Sequence, residues 1–240
     1  MSSLTYVQFH ALYVLPALAA LTATVHHRRD SVDWRVGATG LAVVTVLAVA
    51  YTTPWDRLLI SMGVWSYGPG TVAGRLWGVP YEEIAFFVLQ PALTTLWTLH
   101  VAGPVVEGID HDRRDRLLGA GAGLAVCAVG LLALTAQSTT YLGAILAWSG
   151  PVLALQWAVG WRYLWRVRAR VVVAVMVPSA YLWVVDRLAI GAGVWTISDT
   201  YTTGLTVAGL PIEEMLFFVV TNCFVVQGLV LFRWVVRRWR

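Results

Sequence analysis

Lysine is absent from this 240-residue chain, so each of its 17 basic residues is an arginine. Charge of either sign is scarce. Only 12% of residues are charged and 58% are hydrophobic, where a soluble domain of this size carries about twice the charge. Two cysteines, Cys127 and Cys223, exclude a disulfide framework and a cysteine-rich zinc site. Both lie in apolar runs and read as small core residues. No Gly-rich nucleotide fingerprint, P-loop or metal-binding cluster occurs. Neither cofactor nor metal is expected. The net charge of +4 does not point to nucleic acid, because the arginines gather between apolar runs, where they suit anionic lipid.

What is present is a series of long apolar runs separated by short polar breaks. Seven are close to the ~20 residues that a bilayer requires: about Leu4–Val25, Val36–Thr53, Pro80–Ala102, Leu117–Ala136, Tyr141–Trp161, Val171–Ile190 and Pro211–Trp234. The first lacks a basic leader and a small-residue cleavage site, so it reads as a retained helix rather than a signal peptide. Fourteen of the 17 arginines fall in alternate connections and the tail: Arg28, Arg29 and Arg35; Arg113, Arg114 and Arg116; Arg162, Arg166, Arg168 and Arg170; Arg233, Arg237, Arg238 and Arg240. Only Arg57, Arg75 and Arg187 lie on the other side. The positive-inside rule then places the N-terminus outside and the C-terminus in the cytoplasm. An odd number of spans agrees with that. The expectation is an all-α, multi-pass protein of the cell membrane, one transmembrane domain over residues 1–240. Seven helices suggest a rhodopsin, but without lysine no retinal Schiff base can form.

The chain also repeats itself. Asp56-Arg57-Leu58, Ile60 and Gly63-Val64-Trp65 return 130 residues later as Asp186-Arg187-Leu188, Ile190 and Gly193-Val194-Trp195. Pro80-Tyr81-Glu82-Glu83 and Phe86-Phe87 return 131 later as Pro211-Ile212-Glu213-Glu214 and Phe217-Phe218. Pro16 with Leu18-Ala19 resembles Pro151 with Leu153-Ala154. The reading is a parallel duplication of a three-helix unit, about 4–102 and 141–234. Helix four is the odd span that lets both copies cross in one direction. Both Pro-x-Glu-Glu motifs and both Asp-Arg pairs then lie on one membrane face, around a pseudo-two-fold axis.

Pro-x-Glu-Glu is ordinary helix-start chemistry, since proline fits the first position and acids suit the positive end of the dipole. Two copies with the same aromatics behind them ask for more. Glu83, Phe86, Phe87 and Gln90 stand at i, i+3, i+4 and i+7, one helical stripe, and Glu214, Phe217 and Phe218 repeat it. Glu82 and Glu213 point about 100° away. Carboxyls at the edge of hydrocarbon default to functional hypotheses. A helix start favours the charged form, whereas burial and a neighbouring carboxylate favour the neutral one. A protonated carboxyl beside an ionised one is an acid paired with a base. Asp56-Arg57 and Asp186-Arg187 read as boundary ion pairs or as supports that shape the mouth of the site. Trp65 and Trp195 read as an interfacial belt or as faces for a cationic substrate. His10 and His100 read as structural.

These residues resemble the membrane-integral lycopene cyclases, known as paired bacterial subunits, fused archaeal chains and part of a bifunctional fungal protein. The resemblance runs over nearly the whole chain. It implies a cofactor-free enzyme, an isomerase that closes β-ionone rings on lycopene taken from the bilayer. Glu82, Glu83, Glu213 and Glu214 would match the family's acidic pairs. One departure is Val185-Asp186 where the first copy has Trp55-Asp56. Two other readings remain beside it: a carotenoid hydratase, in which water captures the same cation, and a proton-coupled transporter, which needs a polar path continuing inward. Oligomeric state is not legible.

Overall fold

The computed structural model describes residues 4–26, 34–101 and 103–238. Arg28, Arg29, Arg240 and the expected helix end at Ala102 lie outside the described residues. Among the described residues, seven helices are long and apolar enough to cross a membrane. Helix α1 runs through Tyr6–Phe9, a π-helical segment His10–Val14 and Leu15–His26. It is followed by α2 (Trp34–Met62), α3 (Tyr81–Val101), α4 (Arg113–Ala133), α5 (Thr140–Arg166, after a 3-10 turn Gln137–Thr139), α6 (Arg168–Gly191) and α7 (Ile212–Arg238). In lipid a helix satisfies its own backbone, so the spans are helical and the irregular chain sits at their ends.

Several expected boundaries shift for identifiable reasons. Helix α2 does not stop at Thr53. It continues through Pro54 to Met62, so Asp56 and Arg57 lie within its outer turns. Membrane helices tolerate an internal proline where neighbours satisfy the freed groups. Helix α4 begins four residues before the expected Leu117, because Asp112 and Asp115 form a capping box that satisfies two orphan amides. Arg162 then pairs with the Asp115 carboxylate at 2.7 Å.

The two long connections at one end of the bundle are not plain loops. Each holds short strands: β1 (Trp65–Tyr67), β2 (Arg75–Leu76) and β3 (Val79–Pro80) in the first, β4 (Trp195–Ile197), β5 (Thr206–Val207) and β6 (Leu210–Pro211) in the second. The Gly63 and Gly193 positions, at φ 76° and 72°, end the preceding helices in the left-handed conformation and turn the chain into β1 and β4. Each tight ribbon, β2–β3 and β5–β6, is closed by two residues of positive φ, Trp77-Gly78 and Ala208-Gly209, as a type I′ hairpin demands.

Strands β1 and β4 pair antiparallel, with Trp65 opposite Ile197, Ser66 opposite Thr196 and Tyr67 opposite Trp195. Equivalent positions are therefore exchanged about the Ser66–Thr196 pair. The flanking amides follow suit, Gly68 N donating to Val194 O and Ser198 N to Val64 O. The same reciprocity reaches the helix starts, where Tyr6 N donates to Thr71 O and Tyr141 N to Tyr201 O.

Midway along the spans, Gln90 donates to Asn222 Oδ1, Thr94 donates to the same oxygen at 2.6 Å, and Asn222 Nδ2 donates to Ser179 Oγ at 2.9 Å. This uncharged knot ties α3, α6 and α7. Helices α4 and α5 pack most closely, and a Cβ at Gly123 would run into the Ala154 backbone. Gly123→Leu is expected to lower thermal stability in detergent by about 1–3 kcal/mol, the cost of overpacking a tight contact. An unchanged melting transition would show that this interface is loose.

Candidate active site

The first turn of α3 carries Glu82 and Glu83, and that of α7 carries Glu213 and Glu214. Adjacent residues on a helix point about 100° apart, and the structure divides each pair accordingly. Glu82 Oε1 accepts the Ala73 amide at 2.7 Å. Glu213 Oε1 accepts both the Thr203 amide and the Thr203 hydroxyl at 2.7 Å. These two glutamates hold the connections before them and do not line the cavity at this end.

Glu83 and Glu214 do line it. They share a chamber of about 50 Å³ with Asp56, Asp186, Trp65, Trp195, Phe86, Phe217 and Phe218, and with three tyrosine or aliphatic contributions from Tyr6, Tyr67 and Val185. Tyr141 closes the Glu214 side. Glu83 Oε2 accepts two phenols, Tyr6 at 2.9 Å and Tyr67 at 2.8 Å. Glu214 Oε1 accepts one, Tyr141 at 2.8 Å. Tyr6 packs on Trp195 at 4.9 Å between ring centroids, and Tyr141 on Trp65 at 5.4 Å.

One position breaks the exchange of halves. Tyr67 corresponds to Ile197. Trp65 Nε1 donates to the Tyr67 hydroxyl at 3.2 Å, whereas Trp195 Nε1 donates to Asp186 Oδ1 at 3.0 Å. Burial, and then the adjacent Glu83 carboxylate, pushes the Tyr67 phenol well above its usual range, so it remains a donor.

Asp56 and Asp186 are each only 2% exposed, and the Oδ2 of each is buried with no hydrogen-bond partner among the described residues. Among the described residues, no basic side chain lines the chamber. Carboxyls gathered this closely disfavour ionisation of the whole set at once. A neutral carboxyl beside an ionised one is an acid paired with a base.

The arginines of the two Asp-Arg pairs go elsewhere, and the expected boundary ion pairs do not form. Arg57 lies over the Trp77 ring at 4.4 Å, and Arg187 Nε donates to Ala208 O at 3.0 Å. Each arginine braces the left-handed turn of the ribbon ahead of its glutamates. Side chains of consecutive helical residues diverge, so the aspartate turns inward as the arginine turns out. His10 joins α1 to the Glu82 carbonyl at 2.9 Å and stacks on Phe86, and His100 bonds its own helix.

A second, larger cavity of about 370 Å³ adjoins the first. Phe86 and Phe217 line both. Phe87 and Gln90 line only the larger one, whose walls are otherwise mainly apolar residues of α2, α5 and α7. Its rim includes Leu47 and Leu155, 60% and 66% exposed on the sides of α2 and α5.

Sequence reading missed the phenols and the inward role of the aspartates. A signal for two phenols exists: Thr5-Tyr6 and Thr140-Tyr141 share the 135-residue offset of Pro16 and Pro151. Tyr67 has no counterpart and left none.

Fold and site define a seven-helix membrane protein that holds a carboxyl-rich, aromatic-walled chamber against an apolar cavity open to its side. The chain belongs to the lycopene cyclase family, whose model matches residues 4–101 and 138–232. It is 51% identical to the lycopene beta-cyclase of Halobacterium salinarum, over 98% of this chain and 99% of that one. It is also 34% and 32% identical to the bifunctional lycopene cyclase/phytoene synthases of Podospora anserina and Aspergillus oryzae. Those alignments take in 95% of this chain but only 40% and 39% of the fungal proteins. No solved structure matches it.

Replacing Glu82 by Ala removes the acceptor of the Ala73 amide. The variant is expected to lose about 0.5–1.5 kcal/mol of stability, the net worth of one hydrogen bond whose donor can turn to water. Hydrogen exchange at Ala73 should accelerate, and unchanged protection there would refute the bracing role.

Proposed function

We propose that this protein is a lycopene β-cyclase acting by acid–base catalysis without a cofactor. The observation that carries this reading is the adjacency of a carboxyl chamber and an apolar cavity through Phe86 and Phe217. One end of the polyene enters the chamber while its chain lies in the larger cavity. A carboxyl delivers its proton to the terminal double bond. The tertiary cation formed is attacked by the next double bond, closing the ring, and a carboxylate removes a ring proton. The change is an isomerisation. Phe86, Phe217, Phe218, Trp65 and Trp195 offer π faces to the cation, and exclusion of water keeps it from being hydrated.

In this reading Glu83 and Glu214 do the proton chemistry, Asp56 and Asp186 tune it, and Glu82 and Glu213 position the connections. Arg57 and Arg187 support the ribbons. The lateral rim supports uptake of substrate from lipid. The uncharged Gln90–Asn222 knot offers no titratable group below the chamber, which gives no support to a proton-coupled transporter. The corresponding contacts of α1–α3 and α5–α7 support descent from one three-helix unit, repeated over about 4–102 and 141–234 within a single domain. The arginine asymmetry supports an outward N-terminus, a chamber at the outer face and a cytoplasmic C-terminus.

Purified protein should convert lycopene to β-carotene at unchanged mass and in the presence of chelator. A gain of one water in the product would favour a hydratase instead. Glu83→Gln and Glu214→Gln are each expected to lower turnover by about 10²–10⁴-fold. The double variant should be little worse, since residues acting as a unit are non-additive. Glu82→Gln should keep most activity, because the amide oxygen still accepts from Ala73. Half activity in each single variant would instead mean two independent sites. Reporter fusions after Arg240 and near Thr71 should read opposite sides of the membrane, and the same side for both would overturn the orientation.

A further inference from the structure

The reaction needs one acid and one base, and a site with full two-fold symmetry would not say which is which. This site is not fully symmetric. Glu83 takes two phenols on Oε2, whereas Glu214 takes one on Oε1. The additional phenol is Tyr67, and the equivalent position across the strand pair is Ile197.

Resting on the cyclase reading above, we propose that Glu83 is the base that selects the double bond of the product, that Glu214 is the proton donor, and that Tyr67 is the positioning residue that sets this polarity. Phenolic donors stabilise the ionised carboxylate they bond, and Glu83 has twice as many as Glu214. The Trp65 indole occupies an acceptor lone pair of Tyr67 at 3.2 Å, which directs the phenolic hydrogen to Glu83. With Oε2 held from two sides, Glu83 keeps one orientation and presents Oε1 as the free oxygen. On the other half, Trp195 is taken by Asp186, and Glu214 has Tyr141 alone.

The proton balance follows. The Glu214 O–H bond breaks and a C–H bond forms at the end of the polyene. The ring C–C bond forms as the internal double bond attacks. The ring cation then loses a proton to Glu83 Oε1, and its electrons become the ring double bond. Glu83 is left protonated and Glu214 ionised. Both line the same chamber, so the proton returns across it, and no external acid is consumed.

A ring cation of this kind carries three sorts of adjacent hydrogen. One is on the ring carbon that bears the chain, one on the ring methylene and one on the methyl group. Loss from the first gives the conjugated β ring. Loss from either of the others gives an isomer of the same mass that absorbs at shorter wavelength, because its new double bond is out of conjugation. The base therefore decides product identity, and the acid decides only the rate. That difference separates the two roles even when both variants are slow.

The test compares Tyr67→Phe and Glu83→Asp with Tyr141→Phe. Each is incubated with lycopene, and the cyclised products are resolved by chromatography and absorbance. In Tyr67→Phe and Glu83→Asp the share of non-conjugated ring isomers should rise roughly tenfold, the effect expected of one lost charge-assisted hydrogen bond. Tyr141→Phe should be slower with an unchanged, β-ring product. If Tyr67→Phe does not fold, Glu83→Asp gives the same readout. An unchanged isomer ratio in whichever of these two variants fold would overturn the assignment, as would altered isomers in Tyr141→Phe alone. Wild-type protein that leaves lycopene unaltered would overturn the cyclase reading itself, and the assignment with it.

Discussion

Trp65–Tyr67 and Trp195–Ile197 form the joint on which the chamber depends. Glu83 and Glu214 stand on different helices, and each needs a wall from the other half. The antiparallel pairing supplies it. It places Trp195 against Tyr6 and Trp65 against Tyr141, so each glutamate's phenol is packed by an indole from across the pair. The strands are only three residues long, and an isolated pair of this length is not stable in water. They persist because both ends are anchored, by left-handed glycines after α2 and α6 and by carboxylates at the starts of α3 and α7.

The doubled glutamates express a division of labour along a helix. At the first turn the backbone amides are unpaired and the dipole favours negative charge. One carboxylate of each pair faces back to the preceding connection and accepts its amide. The other faces the bundle and enters the chamber. Glu82 and Glu213 thus stabilise the geometry that Glu83 and Glu214 require. Asp56 and Asp186 bring two further carboxyls to the same chamber, where like charges disfavour full ionisation.

Beneath the chamber the chemistry changes abruptly. The larger cavity is bounded mainly by apolar side chains, and the polar side chains of Gln90, Thr94, Ser179 and Asn222 nearby bond one another. Unsatisfied polar groups in hydrocarbon cost several kcal/mol each, so Gln90, Thr94, Ser179 and Asn222 close on one another. They join α3, α6 and α7 without adding charge. On the other flank, α4 and α5 are drawn together by small residues such as Gly123, because backbone proximity and van der Waals packing drive helix association in lipid.

The apolar runs, the uneven arginines and the paired motifs determine by themselves that this is a seven-helix membrane protein with both Pro-x-Glu-Glu motifs at one end. These properties are local: a span is a matter of length and hydropathy, and a stripe such as Glu83, Phe86 and Phe87 follows from helical pitch. The resemblance to a family was legible for the same reason, since its motifs are contiguous. The length of α2 was less so. The apolar run ends near Thr53, and only the structure shows that the helix carries Asp56 beyond it into the site. Sequence spacing also could not tell that Arg57 and Arg187 leave their aspartates for the ribbons. Tyr6 reaches Glu83 across 77 residues and Tyr141 reaches Glu214 across 73. No local pattern encodes such distances. The packing of α1 on α3 and of α5 on α7 sets these contacts within each half, while the register of β1 on β4 fixes how the two halves face, with Tyr67 opposite Trp195 and Trp65 opposite Ile197, the donorless equivalent of Tyr67.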